Sequence, residues 1–187
     1  MNSNLKGKKI AIVATDGFEQ SELMDPRKTL EDAGATTEVI APKAGEIKGW
    51  KTKDWGESVK VDKTLENANP SDYDALVLPG GVMNPDHLRM DPQALNFVRQ
   101  FVASGKTVAA ICHGPWTLLE AGVLRGKTVT SWPSLKTDLK NAGAKWVDQE
   151  VATDGQFITS RKPDDIPAFN RAIIESVSKR VQQGVSA

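Results

Sequence analysis

Short apolar runs without polar alternation constrain the fold of this chain more than any other feature. Three of them span residues 10–14, 75–78 and 107–111. A strand exposed on one face alternates polar and apolar residues, whereas a strand covered on both faces is apolar throughout. The runs therefore predict buried strands of a mostly parallel sheet with helices on both sides.

Helix signals lie between these runs. Asp25-Pro26 and Asp91-Pro92 each place an N-cap aspartate before a proline in the first turn, and Gly34 and Gly105 are the matching stop signals. We expect helices from these starts through Ala33 and Ser104. Further strands are predicted at 36–40 and 127–131, a hairpin at 147–152 and 156–159, and helices at 115–121, 134–142 and 164–183. Residues 45–63 are expected to form irregular turns and a small hairpin.

Composition narrows the class of protein. A length of 187 residues fits one domain spanning 1–187. The 24 basic residues are balanced by 24 acidic residues, so the composition shows no excess of positive charge that would indicate binding to nucleic acid. No apolar run approaches the ~20 residues that span a bilayer, and the polar N-terminus has no signal-peptide pattern. One cysteine excludes an internal disulfide and fits a reducing compartment, so we expect a cytoplasmic protein.

That cysteine, Cys112, lies where the third apolar run ends and the helix at Pro115 begins. A sharp strand-to-helix turn of this kind is a nucleophile elbow, and Gly114 allows close approach of the backbone. The N-terminus of the helix favours a thiolate with a lowered pKa. The alternative is an inert buried cysteine, since free cysteine is often buried.

His113 is the candidate partner of Cys112, although adjacent side chains at a turn often diverge, and the imidazole alternatively only caps the turn. Its backbone N–H is well placed to donate to an oxyanion. Gly80 and Gly81 follow a buried strand and are further donor candidates, although a plain tight turn uses the same residues.

Two carboxyl groups follow the first strand. Glu19 is a candidate to donate a hydrogen bond to the thiolate while burial keeps it protonated. It equally fits a helix cap or a solvent-facing position, and Glu22 has the better claim to capping. Asp86 and His87 follow the glycine pair, and either is a candidate to orient His113.

Metal and cofactor sites are not expected. Two histidines and one cysteine without paired ligand spacing do not make a zinc site. The glycines at 80 and 81 lack the rest of a phosphate-binding or dinucleotide-binding motif.

The chain resembles the PfpI family of intracellular cysteine peptidases, part of the ThiJ/PfpI superfamily. The resemblance runs from about Lys9 to the final helix. It rests on motifs at 16–22, 74–81, 110–115, 121–127, 141–144 and 159–165. It implies a flavodoxin-like three-layer α/β sandwich with a nucleophile elbow.

The resemblance also implies roles for site residues. Cys112 is the nucleophile, His113 its partner, Glu19 the group that contacts the thiol, and Gly80 and Gly81 are backbone donors. An acidic residue of a neighbouring subunit completes a triad in some members. Asp86 stands at that position, where other members carry the longer glutamate. A homodimer or a hexamer is implied.

The activities implied by the resemblance differ. They are hydrolysis of peptides, glyoxalase or deglycase chemistry on methylglyoxal-type carbonyl adducts, and stress protection through oxidation of Cys112. We expect a cysteine-dependent hydrolase acting on small carbonyl compounds or peptides, with a non-enzymatic redox sensor as the alternative. Trp116, His87 and Trp132 are candidates for pocket walls.

Overall fold

The computed structural model describes residues 4–184. The predicted domain of 1–187 therefore has its extreme ends outside the described residues. The strands are β1 Lys9–Val13, β2 Phe18–Glu19, β3 Thr36–Ala41, β4 Glu46–Lys51, β5 Asp54–Lys60, β6 Lys63–Thr64, β7 Ala75–Leu78, β8 Thr107–Ile111, β9 Thr128–Val129, β10 Lys145–Trp146, β11 Val151–Asp154 and β12 Phe157–Ser160. The α-helices are α1 Gln20–Asp32, α2 Met83–Leu88, α3 Pro92–Ala103, α4 Pro115–Glu120, α5 Lys136–Asn141 and α6 Ile166–Gly184.

The main sheet has the strand order β11-β12-β8-β7-β1-β3-β6 within the described residues. Every neighbouring pair is parallel except β11 and β12, which form the predicted hairpin. The mostly parallel α/β sheet predicted from the apolar runs is confirmed. Because β8, β7 and β1 are neighbours, the loops after their carboxyl ends meet at one edge of the sheet.

Both faces of this sheet are covered, as continuous apolar strands require. Ile10 and Ile12 of β1 pack into one hydrophobic cluster with residues of α1 and α6. Ala11 and Val13 point to the other face, into a second cluster with residues of α3, α4 and α5. The resulting three layers confirm the predicted sandwich.

The first helix differs from its prediction. It begins at Gln20, five residues before the predicted cap at Asp25, and Pro26 lies inside it. Proline in a helix interior lacks a donor N–H and crowds the carbonyl four residues earlier, so the Asp25-Pro26 pair normally indicates a start. Here the turn before Asp25 is already helical, because it carries Glu22 and Leu23, which are both fully buried.

Other boundaries also shift. The strand predicted at 127–131 is only β9, which pairs with β10 in a separate small sheet. Residues 147–150 precede the hairpin rather than belonging to it. The hairpin predicted within 45–63 is confirmed as the antiparallel pair β4 and β5, which joins β2 in a three-stranded sheet. Short 3-10 turns at Pro133–Leu135 and Pro163–Asp165 lead into α5 and α6.

Among the helices of residues 4–184, none combines the length and apolar character needed to cross a membrane.

Candidate active site

Three loops meet at the carboxyl edge of the sheet. They follow β1, β7 and β8, and they bring α1, the Gly80-Gly81 turn and Cys112 together. Cβ atoms built on Gly80 and Gly114 show how close the loops are. The first would lie 2.7 Å from Cys112 Cβ, and the second would contact the Leu78 carbonyl.

Cys112 has the backbone of a nucleophile elbow. Its φ of 62° places a non-glycine residue in the left-handed region, which costs on the order of 1–3 kcal/mol and persists only where neighbours enforce it. Its N–H donates to the Ser160 carbonyl at 3.0 Å, and its carbonyl accepts from the Trp132 N–H at 2.9 Å. The elbow therefore holds the thiol at the sheet edge.

His113 turns toward the thiol. Its Nδ1 lies 3.2 Å from Cys112 Sγ, so the structure brings the predicted pair together. Trp116 meets the imidazole edge-on at 5.2 Å and Trp132 stacks on it at 6.0 Å between ring centroids. Burial lowers the pKa of His113, which keeps the ring neutral at pH 7 and able to accept the thiol proton.

Glu22 supplies the carboxyl group that interacts with the thiol. It lies in the first turn of α1 and is fully buried. Its Oε2 accepts from the Gly80 N–H at 2.8 Å, while Oε1 has no N–H or O–H partner in the described structure. Burial raises the pKa of Glu22 to about 8, so the group is protonated at neutral pH.

The thiol and this carboxyl titrate as a coupled pair. Burial raises the pKa of the Cys112 thiol, and the Glu22 charge adds to that rise once the carboxyl ionises. The N–H groups of Gly81 and His113 lower the pKa of the thiol. The direction is opposite to the lowering predicted from the helix N-terminus, because burial outweighs the donors. The resting thiol therefore needs a base, and His113 is in reach.

The backbone N–H groups at the site act on two side chains, Cys112 and Glu22. The N–H groups of Gly81 and His113 lower the pKa of the Cys112 thiol, and their expected role as donors to an oxyanion stays a prediction. The Gly80 N–H instead donates to Glu22, so Gly80 holds the acid rather than an oxyanion.

Glu19 does not occupy the position predicted for it. It is half-buried at the start of α1, accepts from Ser21 Oγ at 3.2 Å, and lines an open surface groove with Met24 and Glu57. The prediction that Glu19 contacts the thiol is wrong, because the helix starts at Gln20 and turns Glu22 inward instead.

Asp86 and His87 both lie exposed on α2, the short helix that follows the glycine pair. Among the described residues, no hydrogen bond or ion pair joins Asp86 to His113. Within that same part of the chain, no three His, Cys, Asp or Glu side chains are arranged to hold a metal ion.

Comparison with known proteins identifies the family of this chain. A family model described as "DJ-1/PfpI family" matches residues 8–176. The chain belongs to the DJ-1/PfpI family. The predicted resemblance to the ThiJ/PfpI superfamily is therefore confirmed.

Individual family members show how close the similarity is. A protein named "Protein/nucleic acid deglycase 2" from Escherichia coli is 48% identical over 167 residues, covering 88% of this chain and 94% of its own. "General stress protein 18" from Bacillus subtilis is 44% identical over 175 residues, covering 92% and 99%. The crystal structure of Drosophila melanogaster DJ-1beta superposes with a TM-score of 0.81 at 29% identity, covering 96% and 98%.

Sequence reasoning missed two residues of the site. Glu22 was assigned to capping because the helix was expected to begin after it. Asn84 received no role, although it lies between the glycine pair and the predicted Asp86. The spacing of the two carboxyl groups was an available signal for Glu22. If the helix begins early, Glu22 lies almost one helical turn beyond Glu19 and is a second candidate for the site.

Proposed function

We propose that this protein is a cysteine-dependent hydrolase of the glyoxalase or deglycase type, acting on methylglyoxal-type carbonyl compounds. The observation that carries the proposal is the coupled arrangement of Cys112, neutral His113 and a buried Glu22 with a pKa of about 8. The deglycase name of a relative that is 48% identical supports the same chemistry.

The first step is addition of the thiol to an aldehyde. Sγ bonds to the aldehyde carbon while the thiol proton passes to His113 Nδ1. The aldehyde oxygen becomes an oxyanion, which takes the proton of the Glu22 carboxyl. A neutral hemithioacetal forms, and Glu22 is left as a carboxylate.

The second step uses the base that the first step created. Glu22 removes the proton from the former aldehyde carbon and returns it to the adjacent carbon, while the hydroxyl proton moves to the neighbouring oxygen. The product is a thioester of a 2-hydroxy acid. Water then cleaves the C–S bond, which releases the acid and restores the thiol, and the proton that His113 took in the first step returns to Glu22 to complete the cycle. In a deglycase reaction, the same steps begin with a carbonyl compound that an amine has released or that is still bound to the amine.

The limited access to the thiol favours small substrates. Cys112 is only 6% exposed, and Trp116 and Trp132 flank its histidine. A small dicarbonyl compound or a flexible glycated side chain fits such a site better than a folded polypeptide does. We therefore propose small carbonyl adducts as the preferred substrates, ahead of short peptides. A role in stress protection agrees with the name of the Bacillus subtilis relative.

The alternative is a redox sensor in which peroxide oxidises Cys112 to a sulfenic or sulfinic acid. A cytoplasmic location, which fits one cysteine without an internal partner, stays a prediction.

The test measures formation of 2-hydroxy acid from methylglyoxal and from its fresh adduct with N-acetyl-lysine, using wild type and Cys112→Ala. We expect turnover in wild type and none in the variant, with equal thermal stability showing that both are folded. Turnover that survives Cys112→Ala contradicts the proposal. No turnover by wild type, together with rapid addition of oxygen to Cys112 in mass spectra after mild peroxide, supports the redox alternative.

A further inference from the structure

The Asn84 side chain links three segments of the site without touching the thiol. It lies in α2 and is fully buried. Its Oδ1 accepts from the Thr15 N–H at 2.8 Å, after the end of β1. Its Nδ2 donates to the carbonyls of Pro79 and Gly80 at 3.0 and 3.1 Å, after the end of β7. These partners fix the orientation of the amide, because one side offers an N–H and the other two carbonyls.

The two carbonyls belong to the peptide units whose N–H groups serve the site. In a trans peptide, the C=O of one residue and the N–H of the next point in opposite directions from one rigid plane. The unit with the Pro79 carbonyl carries the Gly80 N–H, which donates to Glu22 at 2.8 Å. The unit with the Gly80 carbonyl carries the Gly81 N–H, which acts on Cys112. By holding both carbonyls, the Asn84 amide orients both donors.

Glycine makes this control necessary. Gly81 adopts φ +76°, and a Cβ on Gly80 would lie 2.5 Å from Glu22 Oε2, so the turn requires glycine at both positions. Glycine leaves the backbone with more rotational freedom than any other residue. The Asn84 amide contacts both flexible peptide units and so keeps them in one direction, with the Glu19 N–H as a second donor to the Gly80 carbonyl at 3.2 Å.

We propose that Asn84 is a positioning residue for the thiol chemistry, because its amide sets the direction of the Gly80 and Gly81 N–H groups toward Glu22 and Cys112. The kinetic part of this inference rests on the proposed function. The part concerning the thiol does not, since it is measured without a substrate.

The chain offers a matched control. Asn170 is also a buried asparagine, 4% exposed, and its Nδ2 donates to Thr29 Oγ1 at 3.1 Å between α6 and α1, outside the site. The variants are Asn84→Ala, Asn84→Asp and Asn170→Ala. Asn84→Asp keeps the size and the acceptor for Thr15 but loses the amino donor. The readouts are thermal unfolding, the rate of Cys112 alkylation by iodoacetamide against pH, and kcat and KM for methylglyoxal.

We expect both Asn84 variants to raise the midpoint of alkylation by about one pH unit, because the thiolate loses an aligned donor. We expect kcat to fall on the order of 10²-fold with little change in KM, as when one oxyanion donor is lost. Asn170→Ala should unfold at a lower temperature with an unchanged midpoint and kcat. Asn84 variants that lose only thermal stability, and keep the wild-type midpoint, overturn the inference.

A measurement on wild type covers the case in which an Asn84 variant does not fold. Both Nδ2 protons of Asn84 are expected to exchange slowly with solvent in nuclear magnetic resonance spectra, and the Gly81 amide signal should move as Cys112 ionises. Fast exchange of the side-chain protons, or a Gly81 signal insensitive to that ionisation, overturns the inference. If both Asn84 variants and Cys112→Ala keep their turnover while Asn84→Ala shifts the midpoint of alkylation, the result contradicts the proposed function and leaves the inference about Asn84 intact.

Discussion

At the scale of single residues, the Glu22 carboxyl determines how the site responds to pH. It is fully buried, and burial raises its pKa to about 8 against the contrary effect of the Gly80 N–H. A carboxyl with a pKa close to the working pH exchanges its proton with little loss of free energy, which is the property of an efficient acid and base.

The first prediction concerns the pH profile of kcat/KM. The cycle begins with Glu22 protonated, so activity should be lost as pH rises through about 8, where the carboxyl ionises. On the acid side, activity should persist below the ordinary pKa of histidine, because burial lowers the pKa of His113. Rates of 2-hydroxy acid formation between pH 5 and 10 measure both limbs. An activity that keeps rising through pH 9 contradicts the assignment of Glu22 as the initial acid.

The second prediction concerns stability. Between the ordinary pKa of 4.5 and the folded value of about 8, the unfolded chain has released a proton that folded Glu22 retains. Folding then binds a proton, so this carboxyl makes the protein less stable as pH rises through that interval, by up to about 1.4 kcal/mol per pH unit.

Glu22→Gln removes that dependence. We expect the variant to be more stable than wild type at pH 7 in urea unfolding, with a gain that grows between pH 5 and pH 8. Glu66→Gln, at an exposed position, is the control and should change little at any pH. An equal gain at pH 5 and pH 8 would show that the carboxyl is not protonated in the folded state.

At the scale of elements, the start of α1 decides which acid meets the thiol. The Asp25-Pro26 pair is a sound local signal for a helix start, and it fails here because tertiary burial extends the helix back to Gln20. That extension places Glu22 in the helix and leaves Glu19 at its edge. The elbow was predictable because strand, cysteine, glycine and proline are contiguous, whereas Glu22 and Asn84 reach the site through contacts between distant segments.

The third prediction tests how tightly the loop after β7 packs against the elbow. In Gly80→Ala the new Cβ would lie 2.5 Å from Glu22 Oε2 and 2.7 Å from Cys112 Cβ. Overpacking of this kind costs about 1–3 kcal/mol. Because it displaces both reacting groups, we expect turnover to fall on the order of 10²-fold.

The control for that variant is Gly122→Ala. Gly122 has φ +76° and open space around it, so the substitution strains the backbone away from the site. It should lower stability and leave turnover unchanged. Wild-type turnover in Gly80→Ala would mean that the packing of Glu22 against the elbow is not needed.

At the scale of the whole molecule, the mostly parallel sheet follows from the sequence, whereas the strand order that places β1, β7 and β8 side by side is seen only in the structure. The alternation of Ile10 and Ile12 with Ala11 and Val13 between two cores shows why an apolar run predicts a strand covered on both faces. The small sheet of β9 and β10, and the addition of β2 to the predicted hairpin of β4 and β5, were not predictable, because the two-residue strands β2, β9 and β10 carry no periodic pattern.

The fourth prediction concerns assembly. We propose a homodimer or hexamer in which the partner subunit's Asp86 approaches His113, because Asp86 is exposed on its own chain. Sedimentation should show a mass of at least twice 20.3 kDa. Asp86→Asn should reduce kcat, whereas Asp72→Asn, at an exposed position before β7, should not. A fully active monomer, or equal activity of both variants, contradicts this proposal.

The role of Glu22 as the proton partner of Cys112 is tested by comparing Glu22→Gln with Glu19→Gln in the methylglyoxal assay. Alkylation of Cys112 in both variants shows that the thiol stays in place. Glutamine preserves the size of Glu22 and the acceptor for the Gly80 N–H but cannot transfer a proton. We predict that Glu22→Gln lowers kcat on the order of 10²-fold to 10⁴-fold, while Glu19→Gln stays close to wild type. Loss of turnover in Glu19→Gln with a fully active Glu22→Gln would contradict the assignment of Glu22 as the proton partner of Cys112.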